Sequence, residues 1–213
     1  MIITKDESVT LYNKHFEETY HSTSGAITEA FEKFVNPALK YVNKKELKIL
    51  DFCFGLGYNT AALLEKLSEN TNFSEVQVLI IGLENDKSIF SKLQNLNPKL
   101  KYYDYVKKLN KKLSIKNNFF EIKIMLGNAA EIIKDLKDKF DIVFFDPFSP
   151  KKCPELWIEE VFKNVYKKMN IGGVLTTYSC ARTVRENMKL AGFKIIDGPI
   201  IGRRGPATIA LKK

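Results

Sequence analysis

Leu47-Lys48-Ile49-Leu50-Asp51-Phe52-Cys53-Phe54-Gly55-Leu56-Gly57-Tyr58-Asn59-Thr60 passes from a short apolar run, through two glycines, into a stretch with helical spacing. An apolar run of strand length that meets glycines and then turns helical reads as the first half of a strand-helix-strand unit. Glycines at that junction let backbone N–H groups approach a ligand closely. A tight strand-to-helix turn without a ligand explains the same two residues, so their meaning depends on the rest of the chain.

From Leu47 onward, short apolar runs alternate with longer amphipathic ones, the pattern of a parallel sheet wrapped by helices. Strands are expected at 47–53, 76–83, 119–125, 140–145, 173–178, 193–196 and 207–211, and helices at 59–67, 88–96, 102–113, 129–136, 155–169 and 182–190. The helix over 155–169 has the clearest period: Ile158, Val161, Phe162, Val165, Tyr166 and Met169 recur at three and four residues. Pro154 suits its first turn, where a missing N–H costs nothing. The last two strands are separated by Gly, Pro and Arg residues with no helical stretch, so they should pair antiparallel. An α/β sheet that is mostly parallel, with one antiparallel C-terminal strand, resembles the Rossmann-like class I S-adenosylmethionine-dependent methyltransferases more than an ordinary dinucleotide-binding domain. Upstream, 9–12 and 16–20 suit a small hairpin, followed by a helix over 26–34 capped by Ser24. The expected organisation is therefore an N-terminal extension, 1–46, packed on a methyltransferase domain, 47–213.

A length of 213 residues fits one such domain with a substantial core, and 45% hydrophobic with 28% charged residues is ordinary for a globular protein. No apolar run approaches the roughly 20 residues of a membrane span, and residues 1–10 have no signal core. A cytoplasmic protein with no membrane partner is expected. Cys53, Cys153 and Cys180 are widely spaced and form no C-x-x-C pair, which argues against a disulfide framework and against a metal site. The net charge of +9 fits an anionic partner, although a lysine-rich composition explains it as well.

Thr60 stands where a dinucleotide fingerprint has its third glycine, so a loop for S-adenosylmethionine fits better than one for a pyrophosphate. Glu84 closes the second strand, where a carboxylate accepts hydrogen bonds from both ribose hydroxyls; a helix-capping acid is the plainer alternative. Asn128, in Gly127-Asn128-Ala129 after the third strand, suits an adenine edge and a helix N-cap alike. The most specific signal is Asp146-Pro147-Phe148-Ser149-Pro150, directly after the very apolar fourth strand at the carboxyl end of the sheet. A carboxylate there would orient the N–H of an amine for in-line attack on a sulfonium methyl, a reaction in which alignment supplies most of the rate. A carboxylate also stabilises the ammonium form, which has no lone pair, so Asp146 is read as orienter or as proton acceptor.

From Asp146 onward the chain resembles the methyltransferase of 5-methylaminomethyl-2-thiouridine biosynthesis, the MnmC family, which modifies the wobble uridine of tRNA. The resemblance rests on Asp146-Pro147-Phe148-Ser149-Pro150, then Lys152, Pro154, Trp157, Phe162, Gly172-Gly173, Tyr178-Ser179, Val184-Arg185 and Ala191-Gly192-Phe193. Glu17-Glu18-Thr19 and Phe54-Gly55-Leu56-Gly57 extend it, and it is weakest over 93–122. It implies S-adenosyl-L-methionine held by the glycine loop and Glu84, with an aminomethyl-uridine amine at Asp146. The expected cofactor residues are Asp51, Gly55, Gly57, Asn59, Glu84, Asn128 and Ala129, and Glu18, Tyr20 and Ser22 are expected to fold over the cofactor, although an ordinary N-terminal hairpin explains those three as well. Catalysis falls to Asp146. Phe148, Lys152, Trp157, Arg182, Arg185, Arg203 and Arg204 are the expected substrate-binding residues, with the anticodon region of a tRNA as the expected partner, and the arginines are candidates because their planar forks suit phosphate. Many members carry a fused flavin-dependent oxidase, which this sequence lacks, so the stand-alone methyltransferase form is implied. Pro147 replaces the family's frequent glycine after the aspartate.

Lys101, Lys107, Lys108, Lys111 and Lys112 read as the solvated face of a helix whose Tyr102, Tyr105, Leu109 and Leu113 face the core. Two rival functions fit the same residues. One is an aminopropyltransferase like spermidine synthase, which shares the fold and an Asp-containing motif. The other is an RNA-binding module without chemistry.

Overall fold

The computed structural model describes residues 1–69, 76–202 and 205–213. Two short antiparallel ladders open the chain. β1 (Ile2–Ile3) pairs with β2 (Val9–Thr10), and β3 (Tyr12–Asn13) pairs with β4 (Glu18–Thr19) in the register Tyr12 to Thr19 and Asn13 to Glu18. The expected hairpin is present in the second ladder, while Val9 and Thr10 belong to the first. A helical stretch follows as α1 (Ala26–Glu29), a π-helical segment (Ala30–Val35) and α2 (Asn36–Leu39), five residues longer than the sequence suggested.

Ser24 does not cap it. Gly25 occupies the N-cap, and the orphan amides of Ala26 and Thr28 are taken by Ser8 Oγ (2.9 Å) and Asp6 Oδ2 (2.8 Å). The caps come from side chains about twenty residues upstream, brought there by the first ladder, which is why local capping rules pointed elsewhere. Burial raises the Asp6 carboxyl, but hydrogen bonds from Ser8, Thr28 and Thr4 outweigh it and hold the group well below the usual carboxylate range.

The core is an eight-stranded sheet with order β11-β12-β10-β9-β5-β6-β8-β7. Its parallel strands are β5 (Glu46–Phe52), β6 (Gln77–Glu84), β8 (Phe120–Leu126), β9 (Phe140–Phe145) and β10 (Met169–Thr177). β9 is buried along its whole length, as expected of a strand covered on both faces. β12 (Thr208–Leu211) runs antiparallel between β10 and β11 (Lys194–Asp197). On the far edge β7 (Ser114–Lys116) runs antiparallel to β8. Helices α3 (Tyr58–Ser68), α4 (Ile89–Leu93), α5 (Tyr103–Lys108), α6 (Ala129–Asp135), α7 (Glu159–Lys167) and α8 (Arg182–Leu190) cover the two faces.

The helix expected over 102–113 ends at Lys108 in tighter turns, with Asn110 N on Lys107 O and Lys111 N on Lys108 O, and Asn117 Oδ1, which accepts from Phe119 and Phe120 N (both 2.8 Å), then turns β7 back into β8. Tyr103, not Tyr102 or Tyr105, is the ring fully buried from this helix; its hydroxyl donates to Leu56 O at 2.8 Å. The helix expected over 155–169 is divided into a 3-10 turn (Pro154–Leu156) and α7, so Ile158 sits extended at the N-cap and is exposed while Val161, Phe162 and Val165 are buried. Among the described residues no helix is long and apolar enough to cross a membrane.

Candidate active site

A cleft of about 630 Å³ opens at the carboxyl ends of the parallel strands, beneath the β3-β4 hairpin. β5 delivers the glycine loop to it. Gly55 and Gly57 have φ of +53° and +72°, and a Cβ on Gly57 would lie 2.7 Å from Val106 Cγ1. Glycine is therefore required for the loop to pass so close to α5. Cys53, also in the left-handed region at φ 70°, lies just before it and lines the cleft.

β6 delivers Glu84, whose Oε2 accepts Gly55 N and whose Oε1 accepts Asp86 N, both at 2.8 Å. The carboxylate thus locks the loop's geometry, and each of its oxygens retains acceptor capacity. Burial raises its pKa despite those backbone bonds. β8 delivers Gly127, Asn128 and Ala129 to the cleft wall, and Asn128 Oδ1 caps α6 through Ala130 N at 2.9 Å. A carboxylate beside a glycine loop is an acceptor that fits the ribose hydroxyls of an adenosyl group, and the loop leaves room where a side chain would stand.

β9 delivers Asp146, whose Oδ2 accepts from Asn59 Nδ2 at 2.9 Å. Burial, and then the charge of Glu29, push the Asp146 carboxyl well above the usual range, with the Asn59 bond pulling the other way. Asn59 does not line the cleft; it reaches Asp146 from α3. Asp51 lies fully buried behind the loop. Thr60 Oγ1 donates to its Oδ2 at 2.7 Å, its Oδ1 has no hydrogen-bond partner, and burial pushes its carboxyl up to about 7.

The outer wall comes from the N-terminal segment. Glu18 Oε2 accepts Ser149 N at 2.8 Å, Glu17 pairs with Lys152 Nζ at 2.9 Å, and Phe16 stacks on Phe148 with centroids 4.5 Å apart. Tyr20 meets Phe148 edge-on, its hydroxyl accepts from Asn13 Nδ2 at 3.1 Å, and burial pushes it up to about 12. Phe148 and Glu18 line the cleft, whereas Lys152 does not. Trp157 is buried below: its indole N–H donates to Phe148 O at 2.9 Å and its ring packs on Phe145 and Tyr178.

Arg182 and Arg185 lie away from the cleft lining. Arg182 is exposed and pairs with Glu186 one turn along α8, while Arg185 is bound by Asp197 Oδ1 (2.7 Å), Thr208 Oγ1 (2.9 Å) and Ala207 O (3.1 Å). Arg203 and Arg204 lie outside the described residues.

Sequence reasoning missed Glu29, which lines the cleft and pairs with buried Lys33 at 2.6 Å. A signal existed: Ala26, Glu29, Ala30, Lys33 and Phe34 are all buried, so an i,i+4 charge pair interrupts the apolar face of a helix. His21 also lines the cleft, edge-on to Tyr58, with burial pushing its pKa down to about 4; no local pattern marked it. Among its described lining residues the cleft has Glu18, Glu29, Glu84, Asp86, Asp146 and Glu155 but no lysine or arginine. On a chain of net charge +9 that segregation makes the cleft a local concentration of acidic groups.

The profile of the S-adenosyl-L-methionine-dependent methyltransferase family matches residues 92–213. The chain belongs to that family. The crystal structure of MnmC2 from Aquifex aeolicus is 33% identical and superimposes with a TM-score of 0.83, covering 99% of this chain and 69% of that one. An uncharacterized protein of Methanocaldococcus jannaschii is 32% identical over 100% of this chain and 59% of its own length. The tRNA 5-methylaminomethyl-2-thiouridine biosynthesis bifunctional protein MnmC of Leptospira interrogans is 24% identical over 95% of this chain, which spans 34% of that protein. Within the family, the chain is of the MnmC type.

Proposed function

We propose that this chain transfers a methyl group from S-adenosyl-L-methionine to the primary amine of 5-aminomethyl-2-thiouridine at the wobble position of a tRNA, giving 5-methylaminomethyl-2-thiouridine. The observation that carries this reading is Asp146, a carboxyl of raised pKa at the end of β9, in a cleft whose lining has acids and no lysine or arginine. The name borne by the Leptospira relative supplies the tRNA.

Glu84 would hold the ribose, the Gly55 to Gly57 loop would lie along the donor, and Asn128 and Ala129 would border the adenine. When bound, the donor supplies an electrophilic methyl carbon on a sulfonium sulfur. The chain's own task is to deliver a neutral amine in line with it. An ordinary carboxylate, with a pKa of about 3.9, is a poor acceptor for a proton from an alkylammonium. Burial and the neighbouring Glu29 charge make Asp146 a stronger base, which narrows that gap. Asp146 accepts the amine's proton, and Asn59 fixes the orientation of its carboxyl. Asp51 supports the loop from behind through Thr60. Glu18, Phe16 and Trp157 position the Asp146-Pro147-Phe148 turn, with Phe148 facing the acceptor and Tyr20 closing the wall beside Gly55. In this reading residues 1–46 form the outer wall of a catalytic domain that occupies 47–213.

The tRNA is held outside the cleft through phosphates, by Arg182, Arg203, Arg204, Lys152 and further lysines, with the anticodon region at the mouth. Arg185 braces β11 and β12 instead. The test is methyl transfer from labelled donor to tRNA that carries the aminomethyl group. Transfer to free aliphatic amines and not to tRNA would favour a small-amine enzyme, which the acidic lining also suits. Absence of donor binding would favour the RNA-binding reading.

A further inference from the structure

We propose that Glu29 is the residue that binds the α-ammonium of the methyl donor's amino-acid tail. This rests on reading the cleft as the donor site, with adenine at Asn128 and ribose at Glu84. Those two residues stand at the ends of β8 and β6, neighbours in the sheet, and the next strands in the same direction are β5 and then β9. From β8 to β9 there are three strand intervals, roughly 14 Å at about 4.8 Å each. A donor laid across the strand ends with its base at β8 therefore carries its tail past the β5 loop to the β9 end.

At that end the cleft is lined by Asp146 from β9, Glu29 from α1 and Glu18 from β4, and Glu18 Oε2 is already engaged by Ser149 N. Glu29 Oε1 accepts from Lys33 Nζ at 2.6 Å and Oε2 from Ser22 N at 3.0 Å, so each oxygen has further acceptor capacity. Lys33 is 3% exposed and absent from the lining, so it fixes Glu29 without presenting its own charge to the ligand. The Glu29–Lys33 pair leaves the Glu29 carboxylate charged at the cleft surface with open acceptor positions, which the N–H groups of an α-ammonium can fill. Both members of the pair sit on or beside the π-helical segment Ala30–Val35, and such segments recur at functional sites because they re-aim side chains at a helix's expense.

The assignment makes Glu29 a binding residue for one end of the donor only, which a ligand-truncation cycle reads directly. Calorimetry would compare S-adenosylhomocysteine with 5′-methylthioadenosine, which keeps the adenosine and the thioether but lacks the amino-acid tail. Glu29→Gln should weaken S-adenosylhomocysteine by tenfold or more and change 5′-methylthioadenosine by less than twofold. Because Glu29→Gln leaves a buried lysine unpaired, the Glu29→Gln, Lys33→Met double variant is measured beside it and should show the same selective loss. Equal losses for both ligands, or none for either, would overturn the assignment while leaving the donor site intact. A wild-type protein that binds no S-adenosylhomocysteine would overturn the donor site itself, and Glu29 with it.

Discussion

The floor and the outer wall of the cleft are built in different ways. The floor comes from strand ends: Gly55, Glu84, Asn128 and Asp146 each follow a parallel strand, and sheet register alone brings them together from positions 91 residues apart. The wall comes from the β3-β4 hairpin and α1, held to the floor by side chains: Glu18 on Ser149 N, Glu17 on Lys152, Phe16 on Phe148. A floor fixed by backbone pairing is rigid and tolerates surface change. A wall fixed by a few side-chain contacts can be loosened by one substitution.

The largest expected effect is on the floor. Asp146→Asn should lower kcat by about 10² to 10⁴, the usual worth of a positioned proton acceptor, with donor affinity changed less than threefold by calorimetry. A variant with near wild-type turnover would remove Asp146 from the chemistry. Glu84→Ala should weaken donor binding by about tenfold or more, because it removes a charge-assisted acceptor and frees the Gly55 amide. Unchanged affinity would mean that the ribose is held elsewhere.

Wall substitutions should be milder and differently distributed. Glu18→Gln weakens the acceptor for Ser149 N and should cost about three- to tenfold in kcat/KM for tRNA while donor affinity stays within twofold. An equal loss in donor affinity would make wall and floor a single unit and break the comparison.

Behind the floor, Asp51 gives a pH-dependent readout. Its pKa is raised by burial to about 7, so its cost to the fold is absent below the ordinary carboxylate pKa of about 3.9 and grows until the pH passes about 7. Asp51→Asn removes that cost and gives the unpartnered Oδ1 position an amide group. The melting temperature should rise by a few degrees at pH 8 and by less at pH 5; the opposite ranking would mean that Asp51 is ionised at little cost.

The smallest effect is outside the cleft. Arg182→Ala should lower the slope of log Kd for tRNA against log salt by roughly 0.7 to 0.9. Arg185→Ala should lower the melting temperature and leave that slope unchanged, since its guanidinium is already bonded to Asp197, Thr208 and Ala207.

This contrast also explains what the sequence disclosed. The parallel strands, the antiparallel ending and the floor residues were legible because each strand is an apolar run whose last residue faces the site by construction. Asp146-Pro147-Phe148-Ser149-Pro150 needed only its place after β9. The wall was legible in part: Glu18 and Tyr20 were expected to fold over the cofactor, with a plain hairpin as the alternative, and Glu29 was passed over although its pair with Lys33 interrupts an apolar helix face. Asp6 and Ser8 as caps for α1, and Asn59 as the partner of Asp146 instead of a lining residue, depend on contacts between distant segments, which local spacing does not encode.

The most direct test of the central claim offers the purified protein labelled S-adenosyl-L-methionine and two tRNA pools, one with aminomethyl and one with carboxymethylaminomethyl groups on the wobble uridine, followed by mass spectrometry of nucleosides. The cleft is lined by carboxyls around Asp146, so a second carboxylate on the acceptor arm is repelled where a plain primary amine is drawn in. Methylation of the aminomethyl pool alone is the predicted result. Transfer to the carboxymethylaminomethyl pool, or to neither pool, would contradict it.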